Sequence, residues 1–185
     1  MRRLVLICHA ATKATRVAAF PIDEPVEPHA LDGVALPSRF AKPAQCWTSP
    51  ARRALQTAEA LGFAATVEPL LRDCDFGRWA GRTIADVGRD EPDAFAQWLA
   101  DPAAVPHGGE SITGLIERAG AWLASLEARS GRIVAVTHQS VIRAAVTHAL
   151  GAPPAAFWRI DVLPLAITEL TDNGRRWSLA FPGLS

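Results

Sequence analysis

Two short runs constrain this chain more than any other feature. Leu4-Val5-Leu6-Ile7-Cys8 and Ile133-Val134-Ala135-Val136-Thr137 are apolar segments rich in β-branched residues, and each is followed at once by a histidine, His9 or His138. Apolar runs without alternation read as strands buried on both faces, the situation of parallel strands covered by helices on each side. In open sheets of that kind, ligands bind at the carboxyl ends of the strands. Both histidines are therefore placed where they can face one ligand. A single histidine of this sort is an ordinary core residue, whereas a pair at matching strand ends points to chemistry.

The rest of the chain supplies the other layers. Residues 45–48 read as a second strand, and Ser49-Pro50 suits the cap and first turn of a helix that runs to about Leu61 and stops at Gly62. Residues 64–67 form a third strand and residues 70–81 a loop. A helix follows over residues 84–99, interrupted by Pro92, and another over residues 111–130, capped by Ser111 and closed by Gly131. Residues 140–150 are helical up to Gly151. Two further strands, residues 165–170 and 177–181, flank Asp172-Asn173-Gly174, a strong hairpin signal. The Pro-rich, polar stretch 10–43 offers only a short helical piece around residues 29–40. Strands alternating with helices imply an α/β fold, a three-layer α/β/α sandwich whose mostly parallel sheet is closed by an antiparallel hairpin. With no repeat, low-complexity tract or linker, residues 1–185 read as one domain.

Charge narrows the partners. Lys+Arg and Asp+Glu number 19 each, so no net field attracts nucleic acid or an anionic membrane, and any phosphate site must be a local cluster of cations. No apolar stretch is long enough to span a bilayer. The run after Met1-Arg2-Arg3 is too short for a signal peptide. Three cysteines (Cys8, Cys46, Cys74) are an odd number without metal-ligand spacing, which reads as reduced thiols in a cytoplasmic protein. The oligomeric state has no sequence signal.

Several polar groups cluster near the strand ends. Arg52 and Arg53 lie in the first turn of the helix after the second strand, where free backbone N–H groups also favour an anion. Arg143 lies in the helix after His138. Asp73 sits in the loop after the third strand, and a carboxylic acid near a phosphate ester can protonate the departing alkoxide. His107-Gly108-Gly109-Glu110-Ser111 precedes a helix, and reads either as amides lining an anion site or simply as a flexible loop.

Five segments together resemble one family. Leu4 through Ala10 resembles the first strand and Arg-His-Gly signature of the histidine phosphatases, the phosphoglycerate mutase-like superfamily. Thr48 through Ala58 is similar to their arginine-bearing motif, Asp73 through Gly81 to their acid loop, Pro106 through Ser111 to their Gly-Gly-Glu-Ser segment, and Val134 through Arg143 to the segment of their second histidine. One such motif is weak; five in family order over residues 4–181 are specific. The resemblance implies phosphomonoester hydrolysis on a small-molecule phosphate ester, with no metal and no cofactor. It makes His9 the phosphoryl acceptor, His138 the stabiliser of the transferring group and Asp73 the general acid. Arg53 becomes the phosphate clamp, and Gln139 joins the substrate-binding set. Phosphoryl transfer needs mainly positioning and charge neutralisation, which such a group supplies.

Two positions depart from the pattern: Cys8 stands where the family has its first arginine, and Ala10 where it has glycine. A thiol cannot replace a guanidinium. Either Lys13 or Arg16 supplies the missing cation and the enzyme works, at full or reduced activity, or the protein is a silent phospho-ligand binding or regulatory module. Cys8 itself, set among Arg53 and the two histidines, is expected to have a lowered pKa and to react readily. The short segment before Thr48 leaves little chain for a lid, which favours hydrolysis over mutase-type phosphotransfer. By family analogy alone, α-ribazole phosphate is one candidate substrate and protein phosphohistidine another. Specificity is expected in residues 12–37 and 91–107.

Overall fold

The computed structural model describes residues 2–40, 43–126 and 131–181. Six strands, β1 (Arg2–Cys8), β2 (Gln45–Thr48), β3 (Thr66–Val67), β4 (Arg132–Thr137), β5 (Ile167–Asp172) and β6 (Trp177–Ala180), form one sheet in the order β3-β2-β4-β1-β5-β6. The β1–β4, β2–β4 and β2–β3 pairs are parallel, while β5 joins β1 antiparallel and turns back into β6. That turn holds Gly174 at φ 85°, a left-handed conformation natural to glycine. Helix α2 (Arg52–Ala60) covers one face of the sheet, and α5 (Ile112–Ser125) and α6 (Gln139–Ala149) cover the other. The architecture is the expected α/β sandwich.

Side-chain alternation divides the core in two. Leu4, Leu6 and Cys8 of β1, with Ile133 and Ala135 of β4, pack beneath α5 and α6. Val5, Ile7, Val134 and Val136 point the other way, toward Ala54 and Ala58 of α2. This two-residue period is what carries β1 and β4 through the centre with both faces buried. It also delivers the backbone at His9 and His138 to the same edge, because Cys8 pairs with Thr137 in register.

Several local expectations change. Residues 29–40 hold turns and a 3-10 helix over Ser38–Phe40 rather than a longer helix. The helix of that region lies earlier, as α1 (Lys13–Val17), started by reciprocal hydrogen bonds between Thr12 and Thr15. Ser49 does not cap α2. It precedes a proline, which favours extended backbone, and the helix starts at Arg52 with Ala51 as its cap. Pro92 divides its region as expected, ending α3 (Ile84–Asp90) and opening α4 (Pro92–Ala100). Ser111 caps α5 by accepting from the Gly114 N–H at 2.9 Å. The expected end of that helix, residues 127–130, lies outside the described residues. The loop 70–81 contains 3-10 turns over Pro69–Leu71 and Gly77–Trp79. No described helix is long and apolar enough to cross a membrane.

Candidate active site

His9 leaves the end of β1 with its ring 4% exposed, and its Nδ1 lies 2.7 Å from the carbonyl oxygen of Ala10. A carbonyl can only accept, so Nδ1 carries the proton and Nε2 keeps its lone pair. Arg53 Nε donates to that Nε2 at 3.3 Å. The same guanidinium donates from Nη1 to the Ile22 carbonyl at 2.8 Å and from Nη2 to Asp73 Oδ2 at 2.6 Å. The Ala10 N–H is held by Thr57 Oγ1 at 3.0 Å, which ties the turn after β1 to α2.

His138 ends β4 and caps α6, so the free N–H groups of that helix's first turn lie beside it. Its ring packs edge-on to His9 with centroids 5.2 Å apart. Nε2 lies 2.7 Å from Ser49 Oγ, the hydroxyl released from capping duty. Nδ1 has no hydrogen-bond partner among the described residues and lies 3.3 Å from Asp73 Oδ2. Asp73 is saturated with donors: the Cys74 N–H at 2.8 Å, the Ser140 hydroxyl and Arg53.

These environments set the charges. Burial lowers the His9 pKa below its ordinary value, with the Arg53 charge acting the same way and the bond to Ala10 opposing. Burial drives His138 down to about 3 against the pull of Asp73. Burial pushes the Asp73 carboxyl up, but His138, Arg53 and the Ser140 hydroxyl outweigh it and hold the acid at about 2. At neutral pH the site therefore holds two neutral imidazoles, one carboxylate and one guanidinium.

A cavity of about 300 Å³ opens beside His9, Asp73, Gln139 and Ser140. Lys13 and Arg16 are both exposed and do not line it, and Arg16 pairs instead with Glu27. In α1 it is Ala14 and Thr15 that face the cavity, leaving the two cations on the outer side. Arg143 does line it, one α6 turn past Gln139. Its only ion pair is a 3.5 Å contact with the exposed Asp161, and its Nε is buried without a partner among the described residues.

Cys8 corrects the expectation of a reactive thiol. Its alternation places it with Leu4 and Leu6 in the core at 0% exposure, and burial followed by the Asp73 charge raises its pKa to about 12, against the smaller effects of Arg53 and Arg143. Burial likewise raises Cys46 to about 12 and Cys74 well above its usual value. Iodoacetamide at pH 7.5 is thus expected to leave Cys8 unmodified in the folded protein and to label it only in denaturant. Mass mapping that found rapid native-state alkylation of Cys8 would contradict this burial.

The sequence reading passed over the groups that position the acid. Arg118 of α5 pairs with Glu110 at 2.7 Å and donates to the carbonyls of Leu70, Arg72 and Asp73 at 2.6, 2.9 and 3.3 Å. The Glu110 N–H donates to the Asp75 carbonyl at 2.7 Å. Gly109 sits so close to this loop that a Cβ would come within 2.1 Å of the Asp75 oxygen. Gly109 thus braces the Asp73 loop, because any side chain there would collide with the Asp75 carbonyl. Ser49 and Ser140, adjacent to recognised motifs, were visible only as cap or helix residues. Among the described residues, no group of three or more His, Cys, Asp or Glu could hold a metal ion.

Comparison with known proteins places this arrangement. The family model "Histidine phosphatase superfamily (branch 1)" matches residues 4–183, and the chain belongs to that superfamily. The chain is 31% identical over 176 residues to the glucosyl-3-phosphoglycerate phosphatase of Mycobacterium tuberculosis, covering 85% of this chain and 78% of that protein. It is 30% identical over 135 residues, 69% of its length, to a bifunctional protein of the same species, of which it spans only 37%. Among solved structures, a mycobacterial glucosyl-3-phosphoglycerate phosphatase in complex with VO3 superimposes with a TM-score of 0.83 at 26% identity, covering 97% of this chain and 98% of the other.

Proposed function

We propose that this protein hydrolyses small phosphate monoesters through a phosphohistidine on His9. The observation that carries the reading is the His9 ring itself. Nδ1–H is fixed on a backbone carbonyl, so a neutral Nε2 is presented beside Arg53, His138 and Asp73. In the first step Nε2 attacks phosphorus, the P–O ester bond breaks, and the alkoxide takes a proton from Asp73. In the second, water attacks the phosphohistidine as Asp73 accepts its proton, the P–N bond breaks, and phosphate leaves with His9 restored. Arg53 neutralises charge on the equatorial oxygens, and the neutral His138 donates a hydrogen bond to one of them from Nδ1. Arg143 is the second cation of the site, reaching it from α6 where the family's arginine would reach it from β1. The three cysteines are free, in keeping with a reducing, cytoplasmic location. No step passes through a metal, so activity should survive EDTA, and a strict need for Mg²⁺ or Zn²⁺ would overturn the mechanism. The direct test is turnover of a phosphate-ester panel with EDTA present, since negligible turnover with retained phospho-ligand binding would favour a silent binding module.

The low Asp73 pKa has a consequence for pH. The free site holds the acid ionised at neutral pH, so the proton for the alkoxide must arrive with the substrate, whose phosphate has a second pKa of about 6. The productive pair is the phosphate monoanion with neutral His9. Above about pH 6 the monoanion is lost, and kcat/KM for an alkyl phosphate should fall toward tenfold per pH unit. The acid limb lies below the ordinary histidine value, because the His9 pKa is lowered. A profile flat from pH 6 to 9 would remove Asp73 from the acid role. In the same role, Asp73→Asn should slow alkyl phosphates by about 10²–10⁴-fold and p-nitrophenyl phosphate far less, since that leaving group needs no proton. Equal loss on both would mean that Asp73 only holds Arg53 and Ser140.

A further inference from the structure

The cavity beside His9 is unlike a site for a small charged alcohol. Beyond the phosphate end its walls are Phe20, Phe76, Trp98, Ile112, Phe157 and Trp158, drawn from five separate stretches of chain. Phe20, Trp98 and Phe157 are nearly fully buried, and Trp98 meets Trp158 edge-on with centroids 4.5 Å apart. Arg143 is the single Lys or Arg among the lining residues, and Asp73 is the single carboxylate. With Arg143 turned to the phosphate, a leaving group that carried its own carboxylate would face aromatic carbon without a counter-charge.

Two donors in this wall are unanswered. The indole Nε1 atoms of Trp98 and Trp158 are buried without a hydrogen-bond partner among the described residues. Both atoms are shut off from the cavity as well, so the wall presents aromatic carbon rather than a donor to whatever enters it. The cavity volume, about 300 Å³, is enough for a one- or two-ring group.

We infer that the substrate is the phosphate monoester of an alcohol bearing an aromatic ring, with the ring in this chamber against Phe20, Trp98, Phe157 and Trp158. The inference rests on the phosphatase reading of the same site and adds the identity of the leaving group. Trp158, only half-buried, is the specificity residue open to substitution.

The test uses primary alkyl phosphates matched in leaving-group basicity: 2-(pyridin-3-yl)ethyl phosphate, 2-phenylethyl phosphate, butyl phosphate and O-phosphoserine. Burying one ring should raise kcat/KM for the ring-bearing esters about 10- to 100-fold over butyl phosphate, with the phenyl ester ahead of the pyridyl, whose nitrogen meets no donor in the wall. Trp158→Phe, which keeps an aromatic wall, should preserve most of the preference for ring-bearing esters. Trp158→Ala should shrink the ratio of ring-bearing to butyl ester about tenfold. Efficient hydrolysis of phosphoserine or butyl phosphate with no preference for rings would overturn the inference and leave the phosphatase reading intact. If no ester is turned over, the phosphatase reading fails. Calorimetry with the corresponding non-hydrolysable phosphonates then decides the chamber, with tighter binding of ring-bearing phosphonates supporting it and equal binding of all four refuting it.

Discussion

His9→Ala should abolish turnover, lowering kcat by about 10⁵-fold or more, the scale on which removal of a covalent nucleophile acts. The loss should fall on kcat, because Arg53 and Arg143 still neutralise a bound phosphate and His138 can still hydrogen-bond it. A reaction quenched in alkali should show acid-labile phosphate on His9 of the parent protein, by mass spectrometry, and none in the variant. The fold should be unaffected, since the His9 side chain bonds only its own neighbour's carbonyl and Arg53. Unchanged turnover in His9→Ala, or phosphate found on His138 instead, would end the proposed chemistry.

The second large effect is expected at Arg53. Its guanidinium is 3% exposed and is shared between His9, Asp73 and the Ile22 carbonyl. Arg53→Ala removes the charge that faces the equatorial oxygens and should lower kcat/KM by about 10³-fold, or roughly 4 kcal/mol. It also leaves Asp73 without its closest cation. The Asp73 pKa should therefore rise, because a depressing charge is gone while burial persists. The alkaline limb of the variant should stay with the substrate monoanion near pH 6, while kcat/KM drops across the whole profile. Arg53→Lys should restore only part of the activity, because an ammonium cannot span His9 Nε2, Asp73 and a phosphate oxygen at once. A variant with full activity would place the phosphate elsewhere.

Much of this site was readable before any coordinates. His9 and His138 were visible because a buried parallel strand has a one-dimensional signature, and register does the rest. Arg53 and Asp73 were visible only through motif order, since nothing in a loop aspartate announces its partners. Cys8 shows how the reading failed. Sequence neighbours suggested a cationic setting, but the two-residue period that identified β1 already assigned Cys8 to the face of Leu4 and Leu6, where desolvation outweighs nearby charge. Lys13 and Arg16 failed for a related reason. Their segment was read as irregular, yet Thr12 and Thr15 start a helix of five residues, and its period turns those cations outward. Arg118 carried no signal, because apart from Glu110 its partners are backbone carbonyls 45 to 48 residues away in the chain.

The Arg118 clamp separates two jobs within one cavity. The groups proposed to react come from strand ends and from a loop whose carbonyls Arg118 fastens to α5. Most of the aromatic walls come from other stretches, namely the residues after α1, α4 and the 3-10 helix over Pro154–Arg159, with Phe76 of the Asp73 loop and Ile112 of α5 adding to them. Changes there can reshape the chamber without moving phosphorus, nucleophile or acid. A lineage built on this plan can exchange one alcohol for another by drift in its walls, while a substitution at Arg118 or Gly109, remote from any ligand, would register as damage to the chemistry itself.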